Sequence, residues 1–205
     1  MKVSAYIIAG GEGKRLGQPK WGIELGGGPM IARVAAALSA VASDGEATVV
    51  ARSRIEVAGL RVITDSPPAG FDEAGGPLVG IYTALLDAQS EWLIAAACDL
   101  PFVSGELFKR LLSECSDDND AVVPIQPDGT PQPLCAAYRV AACLPAVKQA
   151  IVDGRLSMFA LLDRVRTRFV PFEDLAVLPG SDRFFFNINT PEDLAIASEM
   201  IRSGR

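Results

Sequence analysis

Val3-Ser4-Ala5-Tyr6-Ile7-Ile8-Ala9 runs straight into Gly10-Gly11-Glu12-Gly13-Lys14-Arg15-Leu16-Gly17-Gln18-Pro19-Lys20. The first segment is a nearly continuous apolar run, the pattern of a strand buried on both faces. The second cannot continue it. Four glycines fall between Gly10 and Gly17, so the backbone can turn tightly and approach a ligand without Cβ interference. Amides in such a loop can converge on phosphate oxygens. Arg15 supplies a planar, bidentate donor and Lys20 a compact charge. A glycine-rich surface turn is the bland alternative. The position after a buried first strand and the three cations Lys14, Arg15 and Lys20 favour a phosphate-binding loop. It is not a Walker A loop, because Gly13-Lys14 is followed by Arg15 rather than Ser or Thr. It is not the G-x-G-x-x-G fingerprint either, since Leu16 occupies the third glycine position.

Beyond this loop the chain alternates strand and helix patterns. Strands are expected at Ala47 to Ala51, Leu60 to Thr64, Trp92 to Ala97, Ala121 to Ile125, Leu134 to Tyr138, Arg168 to Phe172 and Phe184 to Phe186. Helices are expected after Pro29, over Leu78 to Ala88, after Ser104, from Ala141, from Met158 and after Thr190. Ser104 and Thr190 are capping residues, and Pro191 and Asp193 suit the first and third positions of the last helix. The alternation implies an α/β fold with a largely parallel sheet, in one domain over residues 1–205. Such sheets bind ligands beyond the carboxyl ends of their strands. Asp99 leaves the strand Trp92 to Ala97 at such an end, with Pro101 restricting the backbone of Leu100. A carboxylate there can hold Mg²⁺ together with waters and a substrate phosphate; the alternative is a turn-capping aspartate. Asp65, Gln126 and Asn187 occupy other strand-exit loops.

Composition removes several classes of function. The chain of 205 residues has no histidine, which excludes Ser-His-Asp, Cys-His and phosphohistidine chemistry. Its four cysteines, Cys98, Cys115, Cys135 and Cys143, form no C-x-x-C pair, so reduced thiols of a cytoplasmic protein are expected rather than a zinc site. A formal net charge of −6 argues against general nucleic-acid binding. No apolar run approaches the ~18 residues of a membrane span, and no secretory leader is legible.

Taken in order, the motifs resemble the glycine-rich nucleotidyltransferases, most closely the molybdenum cofactor guanylyltransferases. The resemblance rests on Ile8-Ala9-Gly10-Gly11 with Arg15, on Lys20, and on Asp65 before Gly76-Pro77-Leu78-Val79-Gly80-Ile81. It continues in Cys98-Asp99-Leu100-Pro101, Gln132-Pro133-Leu134 with Tyr138, and Asn187-Ile188-Asn189-Thr190-Pro191-Glu192-Asp193-Leu194. It implies a Rossmann-like, three-layer α/β/α fold with a mixed, mainly parallel sheet. It also implies GMP transfer from GTP to molybdopterin with Mg²⁺ on Asp99. Ile8, Ala9, Gly10, Gly11, Lys20, Asp65 and Asp99 would contact the nucleotide, with Arg15, Lys20 and Asp99 as the catalytic set. Asn187 and Asn189 would lie on the pterin side, near Gln132. Proteins that deliver molybdopterin or mature molybdoenzymes are the implied protein partners. The chain departs from the family's usual pattern at Pro19, where an acid commonly precedes the lysine, and at Ala51-Arg52, where Asn is common. A cytidylyltransferase for molybdopterin, a sugar-phosphate nucleotidyltransferase and a non-catalytic nucleotide-binding regulator are the alternative readings.

Four further features have plain structural explanations. Trp21 is read as an anchor for the loop before a base-stacking ring. Phe184 to Phe186 is read as a core strand. The acids Asp117, Asp118 and Asp120 are read as a solvated turn, and Arg164, Arg166 and Arg168 as a solvated edge.

Overall fold

The computed structural model describes residues 1–10 and 16–203. Gly11 and Arg15, both expected to bind the nucleotide, lie outside the described residues. Seven strands form one sheet: β1 (Val3–Ile8), β2 (Ala47–Ala51), β3 (Arg61–Thr64), β4 (Trp92–Ala97), β5 (Ala121–Pro124), β6 (Cys135–Arg139) and β7 (Thr167–Val170). Their order is β3-β2-β1-β4-β6-β5-β7. Pairs β1/β2, β1/β4, β2/β3 and β5/β7 are parallel, whereas β6 runs antiparallel to both its neighbours, β4 and β5. The sheet is thus mixed and mainly parallel, as expected.

Helices cover both faces, and the side chains of β1 show why. Val3, Ala5 and Ile7 point into one core, shared with α1 (Met30–Ser39) and α3 (Gly105–Ser113). Tyr6 and Ile8 point into the other, shared with α2 (Pro77–Asp87), α4 (Val140–Val152) and α5 (Met158–Leu162). Successive strand residues face opposite sides, so a strand between two helical layers is apolar at nearly every position, Ser4 being the exception in β1. β4 meets the same demand with Trp92, Ile94 and Ala96 on one side and Leu93 and Ala95 on the other. Each large side chain so buried contributes roughly 1.5–3 kcal/mol.

Local signals hold at the helix starts. The Ser104 hydroxyl accepts from the Leu107 amide at 3.1 Å. Pro77 opens α2 behind Gly76, whose φ of 97° places it in the region favouring glycine. Thr190 and Asp193 close a reciprocal cap on α7 (Pro191–Arg202). A third apolar cluster, Ile23, Leu25, Met30, Ile188 and Ala197, ties α7 to the chain that follows Lys20.

Three expectations need correction. Phe184 to Phe186 is not a strand. The amides of Phe184 and Phe186 bond back to the carbonyls of Ser181 and Arg183, and the three rings divide between two clusters. A turn distributes the rings in that way, and a strand's alternation would not. The strand expected over Arg168 to Phe172 stops at Val170, because Pro171 offers no amide to the ladder, and Phe172–Leu175 coils into the single turn α6. Asp120 is not solvated. Its carboxylate accepts from Arg166 Nε at 2.9 Å and Nη2 at 2.7 Å, with the Arg166 amide at 3.1 Å. The arginine edge itself is solvated as expected at Arg166 and Arg168, while Arg164 and Arg168 also pair with Asp153 at 2.7 Å and Glu114 at 3.0 Å.

α2 packs so closely on β1 that a Cβ added at Gly80 would stand 3.0 Å from Ile8 Cγ2 and 3.8 Å from Asp65 Oδ1. Gly→Ala inside a helix ordinarily gains stability. Here Gly80→Ala is expected to lose about 1–3 kcal/mol through overpacking against a stiff β-branched side chain. A lower urea midpoint is the expected result, and a raised one would show that the two elements can separate freely.

Candidate active site

The register between β1 and β4 builds the centre of the site. Ile8 pairs with Ala97, so Gly10 and Asp99, each two residues on, leave the sheet side by side. The Cys98 amide donates to the Ile8 carbonyl at 3.1 Å and extends the ladder almost to Asp99. On the other side of β4 the Ala97 amide donates to the Leu134 carbonyl at 2.8 Å, which brings the Gln132 loop to the same edge. The Ile188 amide donates to the Asp99 carbonyl at 3.0 Å and brings in Asn187 and Asn189.

Lys20 closes the arrangement from a single 3₁₀ turn, Lys20–Gly22. Its Nζ donates to Asp99 Oδ2 at 2.6 Å and to Asn189 Oδ1 at 2.5 Å. Both charged side chains are largely withdrawn from water, at 15% and 16% exposed. The second carboxylate oxygen, Asp99 Oδ1, is buried and meets no hydrogen-bond donor among the described residues. A buried carboxylate oxygen without a donor is costly unless a ligand completes it. Beside this carboxylate, burial pushes the Cys98 thiol up to about 12, so it stays protonated and unreactive.

Two clefts flank Gly10. One, of about 260 Å³, is lined by Ile8, Gly10, Lys20, Gly76, Pro77, Asp99, Gln132 and Asn187, among others. The other, about 470 Å³, lies between Ala9, Gly10, Pro19, Trp21, Arg52 and Ile55. Ile8, Gly10, Lys20, Asp99, Asn187 and Asn189 therefore gather at one sheet edge, with Ala9 on the second cleft. No cluster of three or more metal-ligating side chains exists among the described residues, so a cation here would rest on Asp99, phosphate oxygens and water. Trp21 packs partly on the core beside α1 and also walls the second cleft, so the two roles weighed for it are not exclusive.

Asp65 stands apart from the Asp99 centre. It follows β3, where its amide donates to the Ala51 carbonyl at 2.8 Å, and its carboxylate lies over Gly80. Burial holds its carboxyl above the usual carboxylate range, and the Arg52 guanidinium offsets part of that rise. Arg52 lines the second cleft, though no motif in the sequence marks it. Its guanidinium lies against Gly75, with Cζ 3.4 Å from a Cβ built there. The legible signal was a lone arginine at a strand exit, facing a glycine pair that leads into a helix.

The sequence matches the MobA-like NTP transferase domain over residues 5–167, which makes this strand edge, with its glycine exit and lysine–aspartate pair, that of a nucleotidyltransferase. A probable molybdenum cofactor guanylyltransferase of Pelotomaculum thermopropionicum is 34% identical, over 100% of this chain and 96% of that protein. The molybdenum cofactor guanylyltransferase of Desulfosudis oleivorans is 31% identical, over 99% and 98%. The crystal structure of molybdopterin-guanine dinucleotide biosynthesis protein A from Archaeoglobus fulgidus superposes with a TM-score of 0.77 at 28% identity, covering 99% of this chain and 100% of that one. A Thermus thermophilus 2-C-methyl-D-erythritol 4-phosphate cytidylyltransferase, at 20% identity and a TM-score of 0.70, shares the fold. The chain belongs to the molybdenum cofactor guanylyltransferase family, as its motifs suggested.

The elevated Asp65 pKa gives a signed expectation. A carboxyl that holds its proton more tightly when folded costs stability once ionised, and that cost vanishes as pH falls below the ordinary value near ~4. Asp65→Asn is therefore expected to raise the urea midpoint at pH 7 and to leave it unchanged at low pH. An equal effect at both would assign the change to packing instead.

Proposed function

We propose that this chain transfers the GMP unit of GTP to the terminal phosphate of molybdopterin and releases pyrophosphate. The observation that carries the reading is the Lys20–Asp99 pair at 2.6 Å on the strand edge beside Gly10, with the buried Asp99 Oδ1 meeting no donor among the described residues. In this reading the amino-terminal half of one domain over residues 1–205 holds the nucleotide and the carboxyl-terminal half the acceptor.

An acceptor phosphate oxygen attacks the α-phosphorus of GTP, the bond from that phosphorus to the bridging β-oxygen breaks, and pyrophosphate departs with the electron pair. The acceptor phosphate has a second pKa of ~6 and needs no general base, which suits a chain without histidine. What the protein must provide is position and countercharge. Gly10, with Ile8 and Ala9 behind it, presents backbone to the nucleotide; Gly11 would add to it and Arg15 would supply a bidentate donor for the outer phosphates. Lys20 neutralises charge that develops around the α-phosphate. Asp65 and Arg52 border the nucleoside end, while Asn187, Asn189 and Gln132 face the acceptor. Asp99 is the residue that would hold Mg²⁺, which when bound supplies charge neutralisation and Lewis acidity to the triphosphate.

The test is pyrophosphate release with Mg²⁺ and molybdopterin, run in parallel with GTP, CTP, ATP and UTP. Turnover with GTP alone is expected. Turnover with CTP would keep the chemistry and reassign the base, and nucleotide binding without turnover would mark a regulator. Lys20→Ala and Asp99→Ala are each expected to lose about 10²–10³-fold in turnover while remaining folded. Chelation of divalent metal is expected to stop wild-type turnover and restoring Mg²⁺ to recover it.

A further inference from the structure

Lys20 is a long, rotatable side chain on a turn outside the sheet, yet its ammonium is directed at Asp99. An ammonium has three N–H donors in no fixed plane, so the ion pair alone does not set its direction. The second contact, to Asn189 Oδ1 at 2.5 Å, does. Asn189 lies in the short segment between Ile188, whose amide bonds Asp99, and the start of α7. Its backbone is held from the far side by Asp193, one oxygen of which accepts from the amides of both Asn189 and Thr190 at 2.9 Å each. The Thr190 contact belongs to the helix cap. The Asn189 contact lies outside a capping box, which uses only the N-cap amide.

We propose that Asp193 is a positioning residue for the transfer reaction: through the Asn189 amide it fixes the side chain that aims Lys20 at Asp99 and the reacting phosphate. The route is continuous, from the Asp193 carboxylate to the Asn189 backbone, then Asn189 Oδ1, Lys20 Nζ and Asp99 Oδ2. It places a determinant of turnover on a helix beyond residues 5–167, the stretch shared with the wider transferase family. Asn189 is already held to the Asp99 loop on its amino side through Ile188. Asp193 supplies the tie on its carboxyl side, and a backbone held on both sides keeps the Asn189 side chain starting from one place, within reach of the lysine. The proposal rests on Lys20 acting at the α-phosphate.

The cap offers its own control. Thr190 Oγ1 accepts from the Asp193 amide at 3.2 Å, so Thr190→Val breaks the cap while leaving both carboxylate bonds in place. Asp193→Ala breaks the cap and also frees Asn189. Asp193→Glu restores the acid most common at this position of a capping box. Urea midpoints would be compared with kcat and KM for GTP-dependent pyrophosphate release. At similar losses of stability, Asp193→Ala is expected to lower kcat by about 10–100-fold, as small misplacements of a reacting group do. Its KM for GTP should stay close to the wild-type value, Thr190→Val should remain within about twofold of wild-type kcat, and Asp193→Glu should recover most of the loss. On a Lys20→Ala background, Asp193→Ala should cost little more, since both act through one group. Equal kcat losses in Thr190→Val and Asp193→Ala, or full additivity with Lys20→Ala, would reduce Asp193 to a helix cap. If Lys20→Ala itself turned over normally, the assigned role of Lys20 would fall first, and that outcome is separable from an inactive Lys20→Ala beside a fully active Asp193→Ala. Where Asp193→Ala does not fold, Asp193→Asn, which keeps the shape but weakens the acceptor, carries the same comparison.

Discussion

The parallel register of β1 against β4 is the constraint on which the rest of the site depends. With Ile8 opposite Ala97, the glycine exit of one strand and the aspartate exit of the other emerge at the same height. A slip of one residue would reverse which face each β1 side chain meets, sending Val3, Ala5 and Ile7 into the wrong helical layer. The register is therefore set by core packing, and the placement of Asp99 beside Gly10 is a consequence of it. Antiparallel β6 then brings the Gln132 loop to an edge otherwise built from parallel strand ends.

An acidic chain that binds two phosphorylated substrates must concentrate its positive charge. Its formal charge is −6, and most of the arginines around β5 and β7 are already spent on partners, as in Arg166 with Asp120, Arg168 with Glu114 and Arg164 with Asp153. Lys20 differs, because the carboxylate it pairs with has a buried second oxygen that meets no donor among the described residues. The pair is an incomplete electrostatic unit, two opposite charges withdrawn from water with acceptor capacity left over. A phosphate-rich ligand bringing its own cation would complete it, which is a physical reason for such a site to favour a nucleotide over a neutral molecule.

Much of this was legible in the sequence because the relevant signals are local. The apolar run Val3 to Ala9, the glycines after it, Asp99 at the end of Trp92 to Ala97, and the caps at Ser104 and Thr190 all follow from short-range rules. What was not legible depends on tertiary choices. Phe184 to Phe186 has strand-forming residues, but its rings are demanded by two clusters, and that overrides propensity. Asp120 sat in an acidic turn with no sign that Arg166, far along the chain, would fold onto it. Arg52 stood in the sequence only as a departure from a pattern. Its relation to Asp65 and Gly75 exists only once β2 and β3 pair. Asp193 was readable as a cap, whereas its second bond, to Asn189, requires the backbone of the segment that follows Ile188.

That second bond bears on why the carboxyl-terminal helix lies where it does. Of the residues α7 contributes, only Ala197 is fully buried, so the helix adds little to the two main cores. It is held instead by the small cluster around Ile23, Leu25, Met30 and Ile188, with Leu194 and Ile201 packed on its edge. The same cluster supports the chain just after Lys20. Gly26 belongs to this contact: its φ of +67° and the approach of Ile201 within 3.1 Å of a built Cβ leave room for no other residue without strain. The helix thus grips the loop that carries the lysine while its cap grips the asparagine that directs it. A clamp on both the backbone and the ammonium of one residue is what a site needs when it has no histidine to share the work and depends on where its lysine is held.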